Sequence, residues 1–479
     1  MKEFKVKETE VLIKQPFQEI RRELNQRERA HSKVPQSNIS MIATILGNVS
    51  IEILEQVIKK MQLRHPILNA HIELEGKKAY IIAKNIIEIP VIVIERTSDE
   101  QWSEEIILQH KIPFRMEEGP LIRFILLHSA EISDLIIFCQ HTICDGMSLL
   151  YLARDIATYL GDPTKEVELL PPAPLINKDS VPSDIRPSLA MRTLGKTINK
   201  KWEKNEVLFS YDEFYALHNV YWDKYTYKAH LYELSREDTN AFILACRKNG
   251  VTVNSALIAA FAMAQNQLNP DAPKYLKKFA SAVNLRNLLK NPVGEQFGFF
   301  AGGLELKFEY SAKDSFWEAA KKIYQKASPT EAQKKVLVAT LNAFSLSPTF
   351  IEAQFFAAFG RLIPPTSNCY DKMQAFLSDE KNLANKMIKK RLSTGFGMAQ
   401  IMTNLGKTNF REKYGDLILK NLILMPSCSP YTELVLGVVT HGGTLSITLN
   451  HMEESISSEK ILKIRDRANK ILKKAIRLA

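Results

Sequence analysis

Leu135-Ile136-Ile137-Phe138-Cys139-Gln140-His141-Thr142-Ile143-Cys144-Asp145-Gly146 is an apolar run that delivers an imidazole and a carboxylate into one tight turn. Upstream, residues 121–128 and 134–140 flank Ser129-Ala130-Glu131, which predicts an antiparallel pair of strands. Downstream, Leu149, Leu152, Ile156 and Leu160 recur at three- and four-residue steps, which predicts a helix over 147–160. His141 thus lies where a buried hairpin hands over to a helix, a position typical of an active-site loop.

With 479 residues the chain is long for a single hydrophobic core, so two domains and a cleft between them are expected. Hydrophobic residues at 45% and charged residues at 24% fit a soluble globular protein and exclude a disordered or fibrous one. Met1-Lys2-Glu3-Phe4-Lys5 mixes charges with single apolar residues, unlike a signal peptide, and no apolar stretch reads as a membrane span. A cytoplasmic location is expected. Cys139, Cys144, Cys246, Cys369 and Cys428 are odd in number and lack paired spacing, which predicts reduced thiols. The net charge of +11 would suit nucleic acid, an anionic surface, a phosphorylated cofactor or an acidic protein, and the dispersed lysines select none of them. The densest basic stretch, 460–477, reads as a terminal helix with a solvated cationic face.

The amphipathic pattern of Ile51, Leu54, Val57, Ile58 and Met61 predicts a helix over 51–64, broken at His65-Pro66, with a strand over 67–72. Strands are also expected at 79–83 and 91–95. Pro171, Pro172, Pro174, Pro182 and Pro187 mark a linker at 171–200, so 1–170 forms one lobe carrying the His141 loop and 201–479 the other. The second lobe is predicted to hold strands at 225–234, 279–284, 303–308, 433–441 and 444–450, with helices over 235–248 and 255–265. Residues 327–390, rich in Phe, Met and Lys, give no clear pattern.

Gln140-His141-Thr142-Ile143-Cys144-Asp145-Gly146 is similar to the HHxxxDG signature of the condensation-domain and coenzyme-A-dependent acyltransferase superfamily, with glutamine at the first histidine. The resemblance extends in order along the chain. Arg64-His65-Pro66-Ile67-Leu68 is similar to an RHPxL junction, Val283-Asn284-Leu285-Arg286 to an xNxR element, and Gln296-Phe297-Gly298-Phe299-Phe300 to the Gly-aromatic segment after it. Thr403-Asn404-Leu405-Gly406 looks like the SNLG element of free-standing alcohol acyltransferases and polyketide-associated acyltransferases, whereas the DFGWG motif of plant acyltransferases is missing.

What the resemblance implies is an α/β (α+β) protein of two chloramphenicol-acetyltransferase-like lobes in a V-shaped pseudo-dimer, with an active-site tunnel between them. The implied reaction moves an acyl group from coenzyme A or carrier-protein phosphopantetheine to a hydroxyl or amine, with His141 as general base. Asp145 would pair with Arg286 to fix the loop, and Gly146 would allow the turn into the helix. Asn404 or nearby backbone amides would meet the oxyanion, while Asn284 and Gln140 are further contact candidates; glutamine can donate and accept hydrogen bonds at 140 but cannot do imidazole chemistry. No permanently bound cofactor, metal, nucleic acid or membrane is implied, and a monomer is expected. Alternatives are a discrete condensation protein that uses carrier-bound substrates, and a catalytically idle carrier-binding module. Cys139, His141 and Cys144 spell C-x-H-x-x-C, but alternating positions at a strand end need not converge on a metal.

Overall fold

The hairpin that opens the sequence reading becomes the strands Ile122–His128 and Ile132–Gln140, paired antiparallel with Ile125 opposite Ile136. The computed structural model describes residues 17–270, 277–308, 313–395 and 397–477; the opening Met1-Lys2-Glu3-Phe4-Lys5 lies outside the described residues. Ile132–Gln140 pairs on its other side with Asn38–Leu46, whose register sets Asn38 opposite Gln140 and Met41 opposite Ile137. Both strands are buried along nearly their whole length. That explains why Asn38–Leu46 has no alternating pattern: a strand covered on both faces is apolar throughout.

The fold is α/β with two lobes, each built on a six-stranded sheet. The first sheet runs Lys413–Tyr414, Leu417–Met425, Asn38–Leu46, Ile132–Gln140, Ile122–His128, Val91–Glu95. The second runs Ala301–Lys307, Lys278–Asn284, Met398–Lys407, Thr432–His441, Thr444–Met452, Tyr227–Leu234. A small third sheet joins Ile20–Glu23, Lys78–Ala83 and His71–Glu75. The helix Gly146–Gly161 covers the first sheet, and Val253–Leu268 and Ser458–Arg477 cover the second. Met41, Ile137 and Leu152 belong to one core, and Phe261, Leu436 and Ile464 to the other.

The partition of the chain at 171–200 needs correction. Leu417–Met425 leaves the second lobe, crosses over and pairs antiparallel with Asn38–Leu46, Leu422 facing Ala43. It thereby covers an edge of the first sheet that would otherwise expose a long row of unpaired backbone groups. The expected linker is also helical at its end: Ser188 caps Leu189–Glu203 by accepting from the Met191 amide. The strand expected at 67–72 begins instead at His71, because Pro66–Asn69 forms a 3-10 turn. Proline suits the first position of such a turn, and the Asn69 side-chain Nδ2 donates back to the Pro66 carbonyl at 3.2 Å. By contrast, the helix Ile51–Arg64 matches its predicted ends.

Residues 327–390 hold four α-helices, Pro329–Phe344, Pro348–Phe359, Tyr370–Ser378 and Leu383–Ser393, of which the last runs just past the segment. Phe350, Phe356 and Phe359 join the first lobe's core. Glu352 accepts from both Arg29 (2.8 and 2.9 Å) and Lys33 (3.1 Å), an almost fully buried ion group that ties these helices to Gln26–Ser32. Among the described residues no single helix is long and apolar enough to cross a membrane.

Candidate active site

His141 follows the last residue of Ile132–Gln140, and its amide donates to the Ser37 carbonyl at 2.9 Å. The half-buried ring is held from below: Nδ1 lies 2.7 Å from the Cys144 carbonyl. A carbonyl only accepts, so Nδ1 carries the proton and Nε2 presents a lone pair. Burial lowers the pKa of His141 below the usual 6.5, with the Cys144 carbonyl and Asp145 pulling the other way. The imidazole is therefore neutral at neutral pH.

Asp145 faces away from His141 chemistry and into the second lobe. Its carboxylate accepts from Arg286 Nη1 at 2.8 Å and Nη2 at 3.1 Å, caps the helix through the Ser148 amide at 2.8 Å and accepts the Phe300 amide at 2.9 Å. These contacts hold its pKa below the ordinary aspartate value against the opposing effect of burial. Arg286 also donates to Ser148 Oγ at 2.8 Å, and its guanidinium lies 4.6 Å from the centre of the Phe300 ring. The Ser148 hydroxyl exchanges hydrogen bonds with the backbone of Gly298, so the Gly-aromatic segment is pinned to the start of the same helix.

Gly146 does not adopt a positive φ, which corrects the expected reason for glycine. A Cβ there would meet Leu405 Cδ2 at 3.0 Å, so the missing side chain admits Leu405 from the second lobe against the loop. This contact also places Asn404 nearby in sequence, but its Oδ1 accepts the Gly406 amide at 2.8 Å and so braces its own turn. Asn284 is exposed and its Oδ1 accepts the Arg286 amide at 3.0 Å, a local brace of the same kind. Gln140 is buried: Nε2 donates to the His31 carbonyl at 2.8 Å and Oε1 accepts the Thr142 amide.

His31, from the helix Gln26–Ser32, is the residue that sequence reasoning missed. Its ring centre lies 4.5 Å from that of His141, and Phe299 contacts both rings, at 4.8 and 5.1 Å. Nothing in the sequence distinguishes His31 from an ordinary helix histidine. Cys139 and Cys144 are fully buried, and burial pushes the Cys144 thiol well up, so neither is a ready nucleophile. No metal-holding group of three or more His, Cys, Asp or Glu occurs among the described residues.

Arg64 and His65 lie apart from this loop, clamped onto the far part of the helix that follows it. Arg64 Nε donates to Asp155 at 2.8 Å, and His65 Nε2 lies 3.6 Å from the same carboxylate. Neighbouring Arg154 binds Glu295 through two hydrogen bonds of 2.7 and 2.6 Å, a second link between the lobes. A cavity of about 690 Å3 opens here, lined by Met147, Tyr151 and Leu405 and by the exposed Lys165, Lys407, Arg411 and Lys413.

The comparisons agree with the two-lobed fold. Residues 10–171 match the condensation domain model, and residues 224–328 match the model of the phthiocerol/phthiodiolone dimycocerosyl transferase C-terminus, together more than half of the chain. Polyketide synthase associated protein 5 from Mycobacterium tuberculosis has a similar structure at TM-score 0.61 and 15% identity, over 95% of this chain and 98% of that one. The trichothecene 15-O-acetyltransferase of Fusarium sporotrichioides matches at TM-score 0.63 and 11% identity, over 95% of each chain. The first condensation domain of the calcium-dependent antibiotic synthetase matches at TM-score 0.59 and 11% identity, over 95% and 96% of the two chains. Among curated proteins, none matches the sequence. With both family models matched in chain order on a two-lobed fold, the chain belongs to the superfamily of condensation domains and acyltransferases.

Proposed function

We infer that this protein transfers an acyl group from a thioester to a hydroxyl or amine, with His141 as the general base. The observation that carries this reading is the 2.7 Å contact between His141 Nδ1 and the Cys144 carbonyl, which leaves Nε2 as the acceptor. In the reaction, the nucleophile attacks the thioester carbonyl while its proton passes to Nε2. The tetrahedral intermediate then collapses, the C–S bond breaks and the imidazolium returns the proton to the departing thiolate. Such a base contributes typically about 10²- to 10⁴-fold.

Lys165, Lys407, Arg411 and Lys413 around the cavity favour a phosphate-bearing donor, which both coenzyme A and carrier phosphopantetheine provide. Coenzyme A is the first donor to test, and the match of residues 10–171 to a condensation domain keeps carrier-bound substrates as the second.

The test is thiol release from a panel of acyl-coenzyme-A and acyl-carrier donors with mixed alcohols and amines. Acceptor-dependent release by the wild type, abolished in His141→Ala, supports the reading. A His141→Ala protein as active as wild type overturns it, as does a wild type inert toward every donor. Because burial lowers the pKa of His141, kcat/KM should hold through neutrality and decline only as pH falls below 6.5.

A further inference from the structure

His31 and His141 form a pair whose protonation is set by their partners. His31 Nδ1 lies 2.6 Å from Ser37 Oγ, and Ser37 is buried at 3% exposure. Nδ1 is the one hydrogen-bond partner that the described residues offer this hydroxyl. If Nδ1 carried the proton, the serine hydroxyl hydrogen would be buried without an acceptor. If the serine donates instead, both groups are satisfied and the ring proton resides on Nε2. For His141 the Cys144 carbonyl forces the opposite tautomer. The two rings therefore offer one N–H donor and one lone pair, with centres 4.5 Å apart. Both histidines are half-buried.

The pair is held as a unit. The Ser37 carbonyl accepts the His141 amide while the Ser37 hydroxyl serves His31, and Gln140 grips the His31 carbonyl at 2.8 Å. Gln140 occupies the first position of the loop signature, so the residue lacking imidazole there anchors another imidazole beside the base.

We propose that His31 is a catalytic hydrogen-bond donor, its Nε2–H meeting the carbonyl oxygen of the thioester as that oxygen becomes an anion while His141 takes the proton of the nucleophile. The chemistry is complementary: attack generates negative charge on one oxygen and releases a proton from another atom, and the pair supplies one donor and one acceptor on rings whose centres lie 4.5 Å apart. No bond to His31 forms or breaks.

The proposal takes its reaction from the acyl-transfer reading, whereas the tautomers belong to the resting protein and are measured without substrate. Long-range 1H–15N correlation spectra of 15N-histidine-labelled protein, assigned with the His31→Gln and His141→Gln variants, should show His31 protonated at Nε2 and His141 at Nδ1. His31 protonated at Nδ1 overturns the donor role. In the thiol-release assay, His31→Phe keeps a ring but no N–H and should lower kcat by about 10²- to 10³-fold with acceptor KM little changed. His31→Gln, whose Nε2 can donate from a similar reach, should recover about tenfold or more of that loss. Full activity in His31→Phe, or equal losses in Phe and Gln variants, overturns the proposal. A wild type inert toward every donor but with the stated tautomers overturns the acyl-transfer reading, and the oxyanion role with it, and leaves the donor–acceptor pair standing.

Discussion

Asp145 and Arg286 stand in different lobes, separated by 141 positions of sequence, and meet through two hydrogen bonds of 2.8 and 3.1 Å with both side chains almost fully buried. The aspartate is at once the helix cap after the His141 loop, the partner of the guanidinium and the acceptor for the Phe300 amide. One carboxylate therefore fixes the loop, the helix start and the lobe junction together.

Removing one member leaves the other charged and buried, so Asp145→Ala or Arg286→Ala should each destabilise the protein by about 3 to 5 kcal/mol. The double variant should cost less than the sum of the singles. Denaturant midpoints measure this, and strictly additive losses would sink the idea of a coupled pair. The aspartate pKa is depressed in the folded state, so its contribution is present above the ordinary carboxylate range and is lost as pH falls through the lowered value.

How much of this was legible depends on whether the cause is local. The helix Ile51–Arg64 was legible to the residue because Ser50 caps it, its apolar stripe repeats and Pro66 follows. The Asp145–Arg286 pair was legible only through the order of motifs, since no local signal links residues so distant. The crossover of Leu417–Met425 was not legible: its apolar run suits a buried strand in either sheet, and only the open edge of Asn38–Leu46 decides. His31 was hidden for the same reason, since its role exists only beside His141. The helices Pro329–Phe344 and Pro348–Phe359 did carry a local signal, serine followed by proline at each start, which the phenylalanine-rich composition obscured.

Gly146 and Leu405 form a further contact between the lobes, one of shape alone. Gly146→Val would force branched atoms toward Leu405 Cδ2, already 3.0 Å from where a Cβ would stand, and should cost about 1 to 3 kcal/mol. Leu405→Ala in the same chain should restore part of that loss by vacating the space. Urea midpoints of the two singles and the double decide it; no recovery in the double would mean that the strain lies elsewhere.

Gln140 satisfies two backbone groups, the part-buried His31 carbonyl and the buried Thr142 amide. Gln140→Leu keeps the volume but leaves both unpaired, and should cost about 1 to 3 kcal/mol for each. The specific readout is hydrogen exchange: the Thr142 amide should exchange faster in the variant. Unchanged protection there would show that the glutamine fills space without bonding.

Acid should weaken the first lobe through a histidine pair outside the loop. His110 and His218 are 2% and 1% exposed, and burial lowers their pKa values to about 3 and about 4. His110 packs against Phe138, Trp222 and Tyr227, and its charged neighbours His218 and Arg123 both oppose a proton there. The folded state therefore binds fewer protons than the unfolded one once pH drops below 6.5. Each histidine should remove up to about 1.4 kcal/mol of stability per pH unit from there down to its own lowered pKa. Denaturant midpoints at pH 7.5, 6 and 5 should fall along that slope in the wild type. In His218→Phe, which keeps the ring in place, the slope should be shallower by up to about 1.4 kcal/mol per pH unit, while His110 and the other buried histidines, such as His65 and His141, still titrate. A variant with the full wild-type slope would mean that the acid sensitivity arises from groups other than His218.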